Sequence, residues 1–243
     1  MTTSERSLAE TSGRYGRATV RRGYLLRHSV YTRVLHWLVA IFFILSLLTG
    51  FALYSPWLYR WIAPLFGGGA TTRALHPWFS LLFTVFFAFQ FVNWFGLMLW
   101  KPSDSRFMRD IKRFATNQDP LDPEDTEFFN GGQKAYFWII AVSAILFLIT
   151  GLLMWFDDAV PRALTAISYV VHDLTALVML AGFIIHIYEG TAQQPGTFRS
   201  MIDGTVSDKW AWTHHPAWYR RVTGRDPRQA YEEALRKQRR EDE

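Results

Sequence analysis

Residues 167–188 read ISYVVHDLTALVMLAGFIIHIY, an almost wholly apolar segment of membrane-spanning length that carries two histidines. His172 and His186 are fourteen residues apart. In an α-helix this is about 21 Å of rise and, beyond whole turns, about 40° of rotation. Both imidazoles therefore lie on one face, near opposite edges of a hydrocarbon layer roughly 30 Å thick. Ionisable side chains within a span are costly, and they mark a functional site whose partner has to be found. The alternative, that each histidine only bonds a neighbouring helix, explains one such residue better than two on a common face.

The partners must come from the rest of the chain. Half of the 243 residues are hydrophobic and 17% are aromatic, yet mean hydropathy is close to zero. Strongly apolar segments are thus averaged with strongly polar ones. Three further spans are expected: residues 34–54, opening with His36; a segment that begins near His76 and runs to Trp100; and residues 133–156. The fourth is the segment above, extended back to Leu164. Pro77 is tolerated if it sits in a first turn; a helix beginning near Thr71 would be kinked by it. The expected fold class is all-α, an integral membrane four-helix bundle covering residues 33–194, with a basic cytoplasmic arm (1–32) and a cytoplasmic C-terminal extension (195–243). His28, in the arm, reads as a solvated surface residue. Between the second and third spans, Phe107, Ile111 and Phe114 share one helical face, which suits a short helix on the membrane surface. The tail from Thr223, rich in both charge signs, has little to bury, so disorder is the default reading.

There is no cysteine. That excludes thiolate-held iron–sulfur clusters, c-type haem attachment and disulfides. Seven of the 26 Arg and Lys residues precede the first span, two fall in the first loop, six in the second, one in the third and ten after the fourth. The positive-inside rule places both termini and the second loop in the cytoplasm, and no nucleic-acid partner is expected. His36 then lies at the cytoplasmic end of its span and His76 at the outer end, with His172 outer and His186 inner. Depth pairs His76 with His172 and His36 with His186.

Two stacked bis-histidine sites in a four-helix bundle suit two b-type haems held by axial ligands. Zinc asks for three or four protein ligands at one level, and each level here offers two. Gly50, fourteen residues after His36, falls at the depth of the outer site, where a side chain would crowd a porphyrin; the alternative is helix packing. The adjacent His214 and His215 have poor geometry for a shared metal.

The motifs RVLHW at His36, LHPWF at His76, NGGQK-x-x-FW over residues 130–138, VVH at His172, IIHIY at His186 and GTVSDKWAWTHHPAWYR over residues 204–220 resemble the cytochrome b (gamma) subunit of membrane-bound formate dehydrogenases. The resemblance covers about residues 27–222. It implies a di-haem, quinone-reducing subunit in a bacterial inner membrane, with His76 and His172 on the outer haem iron and His36 and His186 on the inner. Its implied partners are an iron–sulfur beta subunit and a catalytic alpha subunit with a molybdenum or tungsten pterin, in a complex that can oligomerise further. Formate would be oxidised on the partner, and menaquinone or ubiquinone reduced at the cytoplasmic side by a site built from Asn130, Gly132, Gln133 and His186. From the residues alone, the run reads better as an ordinary helix N-terminus with Asn130 as its cap. Glu189, one turn beyond His186, is either a proton relay to the quinone or a solvated helix-end acid; Asp173, directly after His172, is unusual at lipid depth and reads as an acid at the interface in water. Related cytochromes serve nickel–iron hydrogenases and thiosulfate or polysulfide reductases, and a non-redox membrane anchor is the remaining reading.

Overall fold

The computed structural model describes residues 23–116 and 122–242. The arm before residue 23, and Asp119 of the acidic stretch in the second loop, lie outside the described residues. In chain order the elements are β1 (Tyr24–Leu26), α1 (Val30–Tyr54), α2 (Pro56–Ile62), α3 (Gly69–Trp94), α4 (Pro102–Arg109), α5 (Ile111–Ala115), α6 (Gly131–Trp155), α7 (Arg162–Tyr188), α8 (Arg199–Ile202), β2 (Thr205–Ser207), α9 (Asp208–His214), α10 (Pro216–Thr223) and α11 (Pro227–Glu241). Among the described residues the protein is all-α apart from two three-residue strands. Four helices among the described residues, α1, α3, α6 and α7, are long and apolar enough to cross a membrane, and α7 continues into a π-helical turn at Glu189–Gln193. The chain divides into two compact units.

One unit comprises Tyr31–Trp94 and Trp138–Ile185 and so holds most of the four long helices. Rings join them pairwise. Phe43 meets Phe83 of α3 at 5.7 Å and Phe183 of α7 at 5.2 Å. Phe91 of α3 meets Trp138 of α6 at 5.9 Å, and Trp78 of α3 meets Trp155 of α6 at 5.4 Å. The opposite faces carry exposed Ile41, Val92, Ile145, Leu174 and Ile184. Apolar surface on this scale is stable only in a solvent as apolar as itself, which is the bilayer. The helix at His76 begins earlier than its apolar run, at Gly69, so Pro77 lies inside α3. There it withholds an amide from the carbonyl of Arg73 and strains the turn that carries His76.

The other unit comprises Met1–Val30, Phe95–Phe137 and His186–Glu243. Its core is the aromatic extension: Leu25, Val206, Trp210, Trp212, Trp218 and Tyr219 are buried together. Strand β1 pairs antiparallel with β2, Tyr24 opposite Ser207 and Leu26 opposite Thr205. The amide of Asp122 donates to Thr213 O at 2.8 Å, and that of Ala217 to Thr126 O at 3.1 Å, so the end of the second loop is bound to the extension. Lys134 Nζ, in the first turn of α6, donates to Asp104 Oδ2 at 2.7 Å and to Leu99 O at 3.1 Å, an ion pair almost closed to solvent. It fastens α4 beside the start of α6.

Three expectations for this unit change. His28 is buried, its ring edge-on to Phe128 at 5.4 Å; the ring that covers it comes from a hundred residues away and is invisible to local reading. The surface helix breaks at Asp110 into α4 and α5, burying Phe107 while Ile111 stays exposed. The tail forms α11 because Asp226 caps it, accepting from Arg228 N at 2.8 Å, and because Pro227 and Ala230 are buried with Tyr231 set against Trp212.

Candidate functional site

Within the membrane unit the rings of His76, on α3, and His172, on α7, have their centres 6.3 Å apart. Each Nδ1 lies against a threonine hydroxyl: Thr49 Oγ1 of α1 is 2.9 Å from His76 Nδ1, and Thr150 Oγ1 of α6 is 2.8 Å from His172 Nδ1. All four long helices thus contribute to one layer. His76 also bonds the backbone of Ser46, and the two rings stand close enough for each to offer one nitrogen to a common centre. A Cβ on Gly50 would stand 3.2 Å from His76 Cε1, and one on Gly151 would stand 3.9 Å from His172 Cε1. The nearest heavy atom at Gly50 is therefore the imidazole itself and not a neighbouring helix backbone. No group of three or more His, Asp or Glu able to hold a metal ion occurs among the described residues.

His36 belongs to the membrane unit, with the ring of Trp37 edge-on at 5.6 Å. His186 belongs to the other unit and stacks on Tyr136 of α6 at 5.0 Å with an interplanar angle of 18°. Tyr136 was not singled out from the sequence, although it lies inside the NGGQK-x-x-FW run.

At the start of α6, Asn130 Oδ1 accepts from Gln133 N at 2.9 Å and Gln133 Oε1 accepts from Asn130 N at 3.1 Å. This reciprocal capping satisfies two orphan helix amides and consumes both carboxamide oxygens. The two NH2 groups remain as donors. The neighbouring glycines differ. A Cβ at Gly131 would stand 2.7 Å from the backbone oxygen of Asp104, so that glycine serves the approach of α4; at Gly132 the contacts would be ordinary, 3.5 Å to Asn130 Oδ1 and 3.8 Å to Phe107.

His215 has both nitrogens spent. Its Nδ1–H donates to Glu127 O at 2.6 Å, so its Nε2 accepts from Arg27 Nη2 at 3.1 Å. Arg27 Nη2 also donates to Phe128 O at 2.6 Å, and the guanidinium carbon lies 4.5 to 5.0 Å from the ring centres of Phe128, Trp210 and Trp218. Burial pushes Arg27 down to about 9, still charged at neutral pH. Burial, and then the Arg27 charge, hold His215 well below the usual histidine range. His214 instead lies 3.5 Å from Asp122.

The family model for prokaryotic cytochrome b561 matches residues 27–204. The chain is 28% identical over 205 residues to the "Formate dehydrogenase, cytochrome b556(fdo) subunit" of Escherichia coli, covering 83% of this chain and 95% of that protein. It is 28% identical over 214 residues to the nitrate-inducible formate dehydrogenase cytochrome b556(Fdn) subunit of the same organism, covering 87% and 97%. The formate dehydrogenase cytochrome b556 subunit of Haemophilus influenzae is likewise 28% identical, over 204 residues covering 81% and 82%. These relatives agree with the resemblance read from the histidine motifs.

Proposed function

Because the chain belongs to the prokaryotic cytochrome b561 family, we propose that it is the two-haem cytochrome b subunit of a membrane-bound formate dehydrogenase, carrying electrons from an iron–sulfur partner outside the membrane to a quinone at the cytoplasmic side. The observation that carries this reading is the His76–His172 pair. The rings stand 6.3 Å apart, so one metal centre placed between them would be within reach of a nitrogen from each. Gly50 leaves the space beside His76 that a larger side chain would take. A haem supplies reversible one-electron chemistry at its iron.

The chain's own residues do the rest. His76 and His172 hold the outer group, while His36 and His186, paired by depth and motif in the sequence, hold the inner one. Asn130 and Gln133 donate from their carboxamide NH2 groups to a quinone carbonyl, Gly132 keeps the main chain accessible beside them, and Tyr136 keeps the His186 ring in place by stacking. Glu189, in the π-helical turn after α7, is the candidate proton donor for the reduced quinone; π turns of this kind recur at functional sites. Both termini are assigned to the cytoplasm by the basic residues of the flanking segments.

Purification of the complex from native membranes tests the reading. A pyridine haemochrome assay is expected to give two b haems per chain, and formate is expected to drive quinone reduction. A chain with no haem overturns the cytochrome assignment. Co-purification with a nickel–iron hydrogenase or a sulfur-compound reductase in place of a formate-oxidising chain keeps the cytochrome and changes its donor.

A further inference from the structure

Residues 44–50 (ILSLLTG) and 145–151 (ILFLITG) agree at five of seven positions. Each run ends in a Thr-Gly pair beside one member of the His76–His172 pair, so two helices present the same device to one layer. A threonine hydroxyl has one proton and two lone pairs. Thr49 Oγ1 lies 2.7 Å from Leu45 O and Thr150 Oγ1 lies 2.7 Å from Leu146 O, the carbonyl one turn back to which helix-interior threonines donate. Thr84 and Thr175 make that same bond in neighbouring helices and contact no histidine. With the proton so used, Thr49 and Thr150 can only accept from the imidazoles at 2.9 and 2.8 Å. Both Nδ1 atoms must then carry hydrogen, and both Nε2 atoms must carry lone pairs.

The geometry points to Thr49 and Thr150 as a matched pair of positioning residues that hold His76 and His172 as Nε2 donors to one outer haem and set its reduction potential. This rests on the haem reading of the same pair. A hydrogen bond accepted from Nδ1–H makes the imidazole a stronger donor, which favours the ferric state and lowers the potential. Glycine at the following position lets the helix carry its hydroxyl up to the ring: at Gly50 a Cβ would already be 3.2 Å from His76 Cε1.

The test is redox titration of the purified complex carrying Thr49→Val or Thr150→Val, which keep the shape and remove the acceptor, beside Thr49→Ser and Thr150→Ser, which keep the hydroxyl. Each valine variant is expected to raise the outer-haem potential, with a change of up to about tenfold in the ferric-to-ferrous ratio at fixed ambient potential, or ~59 mV for one electron. The double valine variant is expected to move further, the serine variants to stay at the wild-type potential, and the inner haem to be unaffected in all. If a valine variant loses the outer haem, retention with the wild-type potential in the matching serine variant supports the hydroxyl role. Valine variants that keep the haem at an unmoved potential overturn it, as do serine variants that lose the haem. A wild-type complex without a haem at His76 and His172 sinks the proposed function instead.

Discussion

The imidazoles of His76 and His215 make the same first hydrogen bond and differ in the second. Both are held at Nδ1 by an oxygen, Thr49 Oγ1 in the membrane unit and Glu127 O in the aromatic unit. His215 Nε2 is then taken by Arg27, itself enclosed by three aromatic rings. Among the described residues no buried cation takes the second nitrogen of His76, whose ring shares a layer with that of His172, the centres 6.3 Å apart. A histidine saturated by protein donors and acceptors is a fastener. One fixed at a single nitrogen is a ligand held ready. Residue type does not separate the two, since both are histidines near aromatic residues in the sequence.

The sharpest way to break that contrast is to remove the imidazoles. His76→Ala and His172→Ala are each expected to abolish the same haem, read by redox difference spectra, while His36→Ala and His186→Ala abolish the other; a common loss in His36→Ala and His172→Ala would undo the pairing. Next in size is Gly50→Leu, expected to cut outer-haem occupancy severalfold and spare the inner site, because the space it fills is bounded by the His76 ring. His215→Ala should leave both haems in place and destabilise the aromatic unit by about 2–5 kcal/mol, since the Arg27 guanidinium and the Glu127 carbonyl each lose a buried partner. Tryptophan fluorescence during thermal unfolding reports it through Trp210 and Trp218.

Smaller is the pH effect. Folding holds His215 well below its usual value near 6.5, so below that pH the unfolded chain binds a proton that the folded chain refuses. Stability is fully present above about pH 6.5 and falls on acidification, by at most about 1.4 kcal/mol per pH unit for one proton. His215→Ala should flatten that slope; an unchanged slope would assign the titration to another group. Smallest is Gly151→Ala, expected to leave haem content and potential near wild type, because the added Cβ meets His172 at an ordinary 3.9 Å.

Much of the layout was legible in the chain itself. Four apolar runs of bilayer length, three of them carrying histidines at fixed depths, leave few folds open, because a span must satisfy its own backbone and can do so only as a helix. The repeated L-x-T-G ending was equally readable at residues 47–50 and 148–151, yet it carries no meaning until α1 and α6 are seen beside the histidines of α3 and α7. His28 reads as exposed because it lies in a basic arm; what covers it and Arg27 is Phe128, Trp210 and Trp218, brought from distant segments.

The sequence by itself determined the helical class, the number of spans and the membership of a cytochrome family, because hydropathy, length and motif are properties of contiguous residues. Tertiary structure alone decided which hydroxyl meets which imidazole, that Asn130 and Gln133 spend their oxygens on each other while keeping their NH2 groups, that Gly131 serves α4 whereas Gly50 serves His76, and that the tail folds as α11 on Trp212. Hydrogen bonds and close contacts act over about 3–4 Å, and which groups come that near across a hundred residues of chain is a property of the packed helices.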